Sequence, residues 1–575
     1  MTNLIEISNL SYRPDPFPPG KPDILQHIDL NIEAGEFIAI IGRNGSGKTT
    51  LIKHINGLLF PTKGKVSVAG LDTSKIENLP RLRALVGMVF QNPADQIVAS
   101  TVEEDIAFGL ENLNLPPEEI QRRVAEQIQL ADLAAEAKRP PHLLSGGQIQ
   151  RLALAGVLGR QPEVLLFDEP TSMLDPLTRN SFLDRICNLH KQGLTIIYIT
   201  HHMEEAVLAD RLVVLDQGKL VRDGKPDEIF REYNYLYEIG LETPEAAAFG
   251  RKFQEIGWAI PEDILTPEDL LKALPTHNNG SQLNNSLKSD REPGQVIIDV
   301  QDIYYTYLAG TPLAAKALRG ASLQAAKRKI QGIAGTNGSG KSTLLQHLNG
   351  ILRPSQGKVR IDNLAVEKPD TNLRDVVKKV GLVFQNPETQ FFEIYVGDEI
   401  AFGPKQFELD NIRERVRKAM ETVGLDFEAF KDRRLDTLSG GEKRKVALAS
   451  TLVLDQEILL FDEPTAGMDP QSRDDLLRLF TQLISQGKTI LIASHRLDEL
   501  AEISAELSIM KSGKVLETSE TGHLMFNQER LRESGLCAPL IVKIVQNLIE
   551  NGWPLDPTKC LRADQLFDTL EGATT

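Results

Sequence analysis

The chain is one sequence unit written twice, and this repeat constrains its fold more than any other feature. The loop "GRNGSGKTT" returns as "GTNGSGKST" with an offset of 293 residues. The motifs "FQNP", "LSGG" and "LLFDEPT" and the first histidine of "ITHH" return in the same order with an offset of 294. The only two tryptophans, Trp258 and Trp553, match with an offset of 295. Such nearly constant spacing indicates a duplicated domain and not a set of separate motif matches.

Length and composition limit what the chain can be. With 575 residues it is too long for one hydrophobic core. A net charge of −16 is the wrong sign for a protein that wraps nucleic acid, so we expect no nucleic-acid partner. No apolar stretch approaches the roughly 18 residues that cross a bilayer, and the first residues do not read as a signal peptide. Three separated cysteines favour neither disulfides nor a metal cluster. We therefore expect a cytoplasmic protein, or one held at a membrane by another protein.

The order of apolar runs predicts an α/β fold. Short runs such as "FIAIIG", "VLLFDE" and "TIIYIT" read as buried strands separated by helical stretches, which favours a mostly parallel sheet. Residues 92 to 165 read instead as an inserted helical subdomain, whose first helix has a capping box from Thr101 and Glu104. The predicted domains are 1–225 and 295–518 for the two nucleotide-binding units, 226–274 and 519–575 for small helical extensions, and 275–294 for a flexible Asn/Ser-rich linker.

The glycine-rich loops have the spacing of a phosphate-binding loop. Glycines let the backbone aim its N–H groups at phosphate oxygens, and the helix that follows adds its positive N-terminal dipole. A lysine then reaches the β- and γ-phosphates, and the next hydroxyl can ligate Mg²⁺. The predicted ATP-binding residues are Gly42, Arg43, Asn44, Gly45, Ser46, Gly47, Lys48, Thr49 and Thr50 in the first copy, and Gly335, Thr336, Asn337, Gly338, Ser339, Gly340, Lys341, Ser342 and Thr343 in the second.

Each "LLFDEPT" run ends a strand in two adjacent carboxylates with separate predicted tasks. Asp168 and Asp462 would orient Mg²⁺, directly or through its water, while Glu169 and Glu463 would polarise the attacking water as general bases. A carboxylate that merely caps the next helix is the structural alternative. Both copies keep both acids, so we expect two working sites.

The order of loop, glutamine, "LSGG", "LLFDEPT" and histidine resembles the ATP-binding cassette (ABC) ATPases over nearly 220 residues of each copy. The resemblance implies tandem P-loop cassettes that pack head to tail within one chain, with no obligatory homodimer. It further implies γ-phosphate contacts from the histidines, Mg²⁺ contacts from the glutamines, and closure of each site by the other copy's "LSGG". The residues implied are His201 and His495, Gln91 and Gln385, and Ser145, Gly146, Gly147, Ser439, Gly440 and Gly441. Asp175 and Asp469 match the loop that crosses the cassette interface in that family.

The two copies differ at the aromatic residue on which this family stacks adenine. Tyr307 lies 34 residues before Lys341, but the same distance before Lys48 gives Pro14. Tyr12 and Phe17 are near this position without being in register. The adenine contact of the first site therefore stays open.

The stretches after the glutamines, "FQNPADQ…DIAFG" and "FQNPETQ…EIAFGP", resemble the ATPases of energy-coupling-factor importers of vitamins and transition metals. The resemblance implies a peripheral ATPase on the cytoplasmic side of the cell membrane, with a transmembrane coupling subunit and a separate substrate-binding membrane subunit as partners. We expect residues 92–109 and 386–403 to contact the coupling subunit, through exposed Ile97, Val98, Phe391 and Phe392. Core packing of these residues is the alternative. Other readings are a sugar-importer ATPase and a soluble tandem cassette acting on ribosomes.

Overall fold

The computed structural model describes residues 3–15, 22–172, 174–277, 294–311, 314–466, 468 and 470–574. The chain forms two compact units, Met1–Leu274 and Pro275–Thr575. Most of the predicted linker, residues 278 to 293, lies outside the described residues. Both units have α/β architecture, as the alternation of apolar runs predicts.

The first unit contains two β-sheets. A six-stranded sheet has the order β10-β9-β3-β8-β7-β6 and is parallel except for β10, which confirms the predicted mostly parallel sheet. A separate antiparallel sheet has the order β2-β1-β4-β5 and was not predicted. The strands are β1 Asn3–Tyr12, β2 Leu25–Glu33, β3 Phe37–Ile41, β4 Lys63–Val68, β5 Leu71–Asp72, β6 Val86–Val89, β7 Val164–Asp168, β8 Thr195–Ile199, β9 Arg211–Asp216 and β10 Lys219–Gly224.

Strand β3 shows why the apolar runs form a central sheet. All five of its residues are buried, because alternate side chains enter two different cores. Ile38 and Ile40 pack with the antiparallel sheet and helix α1, while Phe37, Ala39 and Ile41 pack with the helices on the other face. The sheet is therefore covered on both sides, and its carboxyl edge remains for the site.

The predicted helical subdomain is present as α3, α4 and α5, which enclose a small core of their own. Thr101 caps α3 by accepting a hydrogen bond from the Glu104 backbone N–H, which is one half of the predicted capping box. The helices of the first unit are α1 Lys48–Ile55, α2 Leu79–Leu85, α3 Val102–Glu111, α4 Pro117–Leu130, α5 Gly146–Leu158, α6 Pro176–Lys191, α7 Met203–Ala206, α8 Pro226–Phe230, α9 Tyr233–Glu238, α10 Glu245–Glu255 and α11 Pro267–Ala273.

The second unit repeats this architecture, with sheets of order β12-β11-β14-β15 and β16-β17-β18-β13-β19-β20. Its strands are β11 Val296–Tyr307, β12 Ala315–Ala326, β13 Ile330–Ala334, β14 Gln356–Ile361, β15 Leu364–Ala365, β16 Val380–Val383, β17 Ile458–Asp462, β18 Thr489–Ser494, β19 Glu506–Lys511 and β20 Lys514–Glu520. Its helices are α12 Lys341–Leu348, α13 Leu373–Lys379, α14 Val396–Gln406, α15 Ile412–Thr422, α16 Phe427–Phe430, α17 Gly440–Leu452, α18 Pro470–Ser485, α19 Leu497–Ile503, α20 Thr521–Met525, α21 Gln528–Ser534, α22 Leu540–Glu550 and α23 Ala563–Thr574.

The two tryptophans make different contacts in the C-terminal helices of their units. Trp258 stacks on Phe253 with ring centroids 4.7 Å apart. Trp553 donates from Nε1 to the Pro275 carbonyl at 2.9 Å and packs against the ring of His277. Across the described residues, no helix has the length and apolar character needed to span a bilayer.

Candidate active site

The phosphate loop follows the central strand in each unit and leads directly into a helix. Gly47 precedes α1 with φ +102°, and Gly340 precedes α12 with φ +104°. The left-handed backbone angle favours glycine at this position, and a Cβ atom on Gly47 would lie 2.7 Å from Leu25 Cδ2 and force Leu25 to shift. The first N–H groups of a helix have no partner within the helix, so those of α1 and α12 suit an anion.

Both loop lysines are buried and held over their own loops. Lys48 Nζ donates to the carbonyls of Gly42 at 2.7 Å and Arg43 at 3.1 Å, and Lys341 Nζ makes the equivalent pair of bonds. Burial lowers the pKa of Lys48 to about 8, against the opposing effect of the neighbouring carboxylates. The buried Ser46 and Ser339 hydroxyls find no hydrogen-bond partner in the described part of the chain. Ammonium and hydroxyl donors gathered at a helix N-terminus suit phosphate oxygens.

A hydroxyl and a carboxylate meet beside each loop. Thr49 Oγ1 donates to Asp168 Oδ1 at 2.8 Å, and the Ser342 hydroxyl lies beside the Asp462 carboxyl in the second unit. Burial raises the pKa of both carboxyls, although these hydroxyls partly oppose the shift. Asp462 Oδ1 is buried and unpartnered among the described residues. Mg²⁺ prefers oxygen ligands and few protein carboxylates, so the residues present fit a magnesium ion bound jointly with phosphates.

The two acids that follow these aspartates have an unusual backbone conformation. Glu169 has φ +48° and Glu463 has φ +47°, in the left-handed region that non-glycine residues rarely occupy. Each backbone N–H is fixed by a carbonyl of the next strand, Ile199 for the first copy and Ala493 for the second. Strain of this kind persists where the surroundings over-determine it, which often occurs at functional sites.

The predicted histidines contact these acids in both units. His201 Nε2 lies 2.6 Å from Glu169 Oε1, and His495 Nδ1 lies 3.0 Å from Glu463 Oε2. Gln91 Nε2 also donates to Glu169 Oε2 at 3.2 Å, across 78 residues of sequence. The first copy thus brings the predicted glutamine, acid and histidine together.

The second copy holds its acid differently. Lys341 Nζ lies 3.4 Å from Glu463 Oε1, and the Glu463 side chain is 7% exposed, against 15% for Glu169. Burial alone would raise the pKa of Glu463, but His495 and Lys341 outweigh it and lower that pKa. Within the described residues, the Gln385 side chain makes no bond to Glu463 equivalent to that of Gln91.

The "LSGG" motifs begin helices α5 and α17. Ser145 and Ser439 cap these helices, each accepting the N3 backbone N–H while the N3 side chain of Gln148 or Glu442 returns a bond to the cap. The serines lie exposed at the surface of their own units, as do Gly146, Gly440 and Gly441, while Gly147 is half-buried. Among the described residues no hydrogen bond joins them to their own unit's phosphate loop.

The aromatic positions separate the two copies further. Tyr307 is 37% exposed, and its Oη lies 3.3 Å from Thr343 Oγ1, beside the first turn of α12. Tyr12 packs edge-on against His54, as Tyr305 does against His347, so Tyr12 belongs to the core. Phe17 and Asp469 lie outside the described residues.

One buried acid near each site was not predicted. Glu205 accepts hydrogen bonds from Thr171 at 2.6 Å, Thr200 at 2.6 Å and Tyr198 at 3.0 Å. It thereby ties the segment after Glu169 to the strand end that carries the histidine, and burial raises the pKa of its carboxyl. Glu499 occupies the matching position in the second copy and bonds Thr465. The presence of this acid in both copies is the feature of the sequence that could have indicated its role.

Comparison with known proteins decides the family. The family model described as "ABC transporter" matches residues 25–172 and 318–466, together just over half of the chain. The chain belongs to the ABC transporter family. It is an ATP-binding protein with two cassettes and the ATPase fold and activity of that family.

Relatives match both the whole chain and one half of it. A protein of Caldanaerobacter subterraneus subsp. tengcongensis described as "Putative ABC transporter ATP-binding protein" is 34% identical, over 91% of this chain and 93% of its own length. The energy-coupling factor transporter ATP-binding protein EcfA1 of the same organism is 47% identical, over 48% of this chain and 99% of its own length. Among solved structures, cbiO1 from Clostridium perfringens, described as part of the ABC transporter complex cbiONQ, is 32% identical with a TM-score of 0.37, over 44% of this chain and 99% of that one.

Proposed function

We propose that this ABC ATPase is the energy-coupling component of an energy-coupling-factor importer for a vitamin or a transition-metal ion. It would act at the cytoplasmic face of the cell membrane, bound to a transmembrane coupling subunit, with cargo recognised by a separate membrane subunit. The similarity of one half of the chain to a complete energy-coupling factor ATPase supports this type of importer. The duplicated cassette would then combine two such ATPases in one chain.

At each site the chain's own groups perform distinct parts of hydrolysis. The loop N–H groups and the loop lysine hold the β- and γ-phosphates, and Glu169 or Glu463 accepts a proton from the attacking water. His201 and His495, which contact these acids, hold them in place. Mg²⁺, when bound by the Thr49–Asp168 or Ser342–Asp462 pair, would neutralise charge developing on the phosphate oxygens.

We further propose that the two sites are composite. The capped N-termini of α5 and α17 present a serine hydroxyl and glycine N–H groups at the surface of their own units, and such groups suit a γ-phosphate. Ser439, Gly440 and Gly441 would close on ATP held by Lys48. Ser145, Gly146 and Gly147 would close on ATP held by Lys341.

The observation that carries the transporter proposal is the exposure of apolar side chains shortly after Gln91 and Gln385. Val98 is 63% exposed in the first unit, and Phe392, Ile394 and Tyr395 are 76%, 57% and 44% exposed in the second. Phe392 stacks on Phe402 of α14 with ring centroids 5.4 Å apart. Large apolar side chains that are exposed next to each other suit a surface that binds a helix of a partner protein.

Part of the predicted contact surface requires correction. Ile97 is half-buried and packs against the helical-subdomain core, and Phe391 is also half-buried. Ile97 instead lines an open cavity of about 490 Å³ together with Ala99, Pro141 and Ile149. A substitution at Ile97 would therefore disturb packing as well as binding, and Val98 is the better probe.

The test replaces Val98 and Phe392 with Asp in one chain and isolates the protein from solubilised membranes of its own host. We expect the variant to hydrolyse ATP as wild type does but to lose its membrane subunits and to support no uptake. The matched control places Asp at Ile76 and Ile351, which are 73% and 53% exposed away from these loops. This control should retain the membrane subunits.

Identification of the captured subunits decides the type of importer. Membrane partners that bind a vitamin or a metal ion support the proposal, while partners that bind a sugar contradict it. Full uptake by the Val98 and Phe392 variant, or capture of ribosomes in place of membrane subunits, would also contradict it.

A further inference from the structure

The second "LSGG" helix carries an arginine where the first carries a glutamine. Arg444 in α17 corresponds to Gln150 in α5 by the offset of 294. The Arg444 guanidinium donates from Nη2 to the Gln385 carbonyl at 3.2 Å, and from Nη1 to the Ala466 carbonyl. Ala466 lies three residues after Glu463. One side chain thus joins three segments of the second unit. They are the helix that begins at "LSGG" (the signature helix, α17 here and α5 in the first unit), residues 385–390 (the glutamine loop) and the segment that follows Glu463.

The described residues of the first unit form no such junction. Gln150 is 2% exposed, and its Nε2 finds no hydrogen-bond partner among the described residues. Ser172, the counterpart of Ala466, donates from Oγ to the Glu169 carbonyl at 3.0 Å. Ser172 therefore bonds within the segment that follows Glu169, and Gln150 does not join this segment to α5.

Other contacts between the signature helix and the glutamine loop add to the difference between the two units. Gln96 and Gln390 each donate to a carbonyl of the signature helix in their own unit, so this link is common to both. In the second unit alone, Lys443 of α17 pairs with Glu388 of the glutamine loop, where Ile149 stands opposite Ala94 in the first. Arg444 differs from these links because its one guanidinium makes charge-assisted hydrogen bonds to two separate segments at once.

We infer that Arg444 is a positioning residue that transmits closure of the Lys48 ATP site to the catalytic acid Glu463. Closure of the Lys341 ATP site is not transmitted to Glu169 to the same extent, because Gln150 stands at the matching position of the first unit. The inference rests on the composite sites proposed above, in which Ser439 at the start of α17 closes on ATP held by Lys48. Arg444 lies little more than one turn further along the same helix. Because a helix moves as a rigid element, displacement at its N-terminus is passed to both carbonyls that Arg444 holds.

The test measures, in the full chain, how far each site depends on ATP at the other. In Glu169→Gln only the Lys341 site hydrolyses, and adding Lys48→Ala removes ATP from its neighbour. The ratio of the two rates gives the forward dependence, which is the dependence of hydrolysis at the Lys341 site on ATP at the Lys48 site. Glu463→Gln with and without Lys341→Ala gives the reverse dependence.

We expect the forward ratio to exceed the reverse ratio by about fivefold or more, since coupling energies between sites commonly reach that size. Arg444→Gln, which installs the residue of the first copy, should reduce the forward ratio to the reverse value and leave the reverse ratio unchanged. Lys445→Gln removes a positive charge from the adjacent position and should change neither ratio. A merely structural role for Arg444 would lower all rates together and shift the melting temperature.

Two results would overturn the inference, and they are distinguishable. Ratios near one in both directions would mean that the sites are not composite, so the proposed arrangement and the role of Arg444 fail together. A large forward ratio that Arg444→Gln leaves unchanged would keep the composite sites and refute the role of Arg444 alone.

Discussion

Replacing Tyr307 tests whether the second site binds adenine by stacking it on the Tyr307 ring. The ring is held edge-on against Tyr305, with centroids 5.0 Å apart and an interplanar angle of 87°. Its Oη lies 3.3 Å from Thr343 Oγ1 and 3.4 Å from Gln346 Oε1. With 37% of the residue exposed, an ordered ring surface remains beside the phosphate loop. The platform is therefore positioned before nucleotide arrives.

The expected magnitude follows from this geometry. Removing an aromatic platform costs about 1–3 kcal/mol per stacked base, which corresponds to roughly 5- to 150-fold in affinity. Because Tyr307 is already ordered, little binding energy goes into immobilising it. We expect Tyr307→Ala to weaken ATP binding by about tenfold or more. Tyr307→Phe keeps the stack and loses only two long contacts, so its effect should stay within about fivefold.

The assay is equilibrium binding of ATP to chains that carry Lys48→Ala, so that only the second site binds. Tyr304→Ala is the matched control, since Tyr304 is 42% exposed on the same strand and does not face Thr343. An affinity within twofold of wild type for Tyr307→Ala would refute the stacking argument. Equal losses for Tyr304→Ala and Tyr307→Ala would also refute it, because the effect would then reflect damage to the strand.

Three further predictions concern the acids, the buried histidines and the loop glycine. Glu169→Gln and Glu463→Gln should each lower turnover at their own site by about a hundredfold to ten-thousandfold while ATP still binds, and unchanged single-site turnover in either would remove that residue from catalysis. Burial lowers the pKa of His54 and His347 below 6.5, so the unfolded chain binds more protons under that pH. The stabilisation that depends on these histidines should be complete above about pH 6.5. Below that pH the free energy of unfolding should fall by up to about 1.4 kcal/mol per pH unit for each histidine, until the pH reaches the folded pKa. If the urea midpoint changes equally between about pH 7.5 and 5.5 in wild type and in the variant with Gln at both positions, this prediction is wrong. Gly47→Ala, at φ +102° and 2.7 Å from Leu25 Cδ2, should weaken ATP binding at the first site by about tenfold, and unchanged affinity by calorimetry would show that the loop relaxes freely.

The sequence by itself determined what depends on local geometry. The phosphate loop, the capped "LSGG" helices and the acids at the ends of β7 and β17 are where the motifs predict them. Strand, turn and helix follow each other there within ten or so residues, so residue type and spacing suffice. The repeat also determined that every such element occurs twice. The antiparallel sheets were not predicted, because their strands alternate buried and exposed residues, as β2 does, and lack the continuous apolar runs of the central sheet.

Only the tertiary structure decided how the two copies differ. The motifs of the two sites are nearly identical, yet Gln91 contacts Glu169 whereas Lys341 contacts Glu463. These pairs lie 78 and 122 residues apart in sequence, so their distances depend on how separate strands and loops pack. The burial of Ile97 has the same origin, because an apolar residue after a loop can face a core or solvent without any change in the pattern. Side-chain identity predicts which contacts are chemically available, and long-range packing determines which of them form.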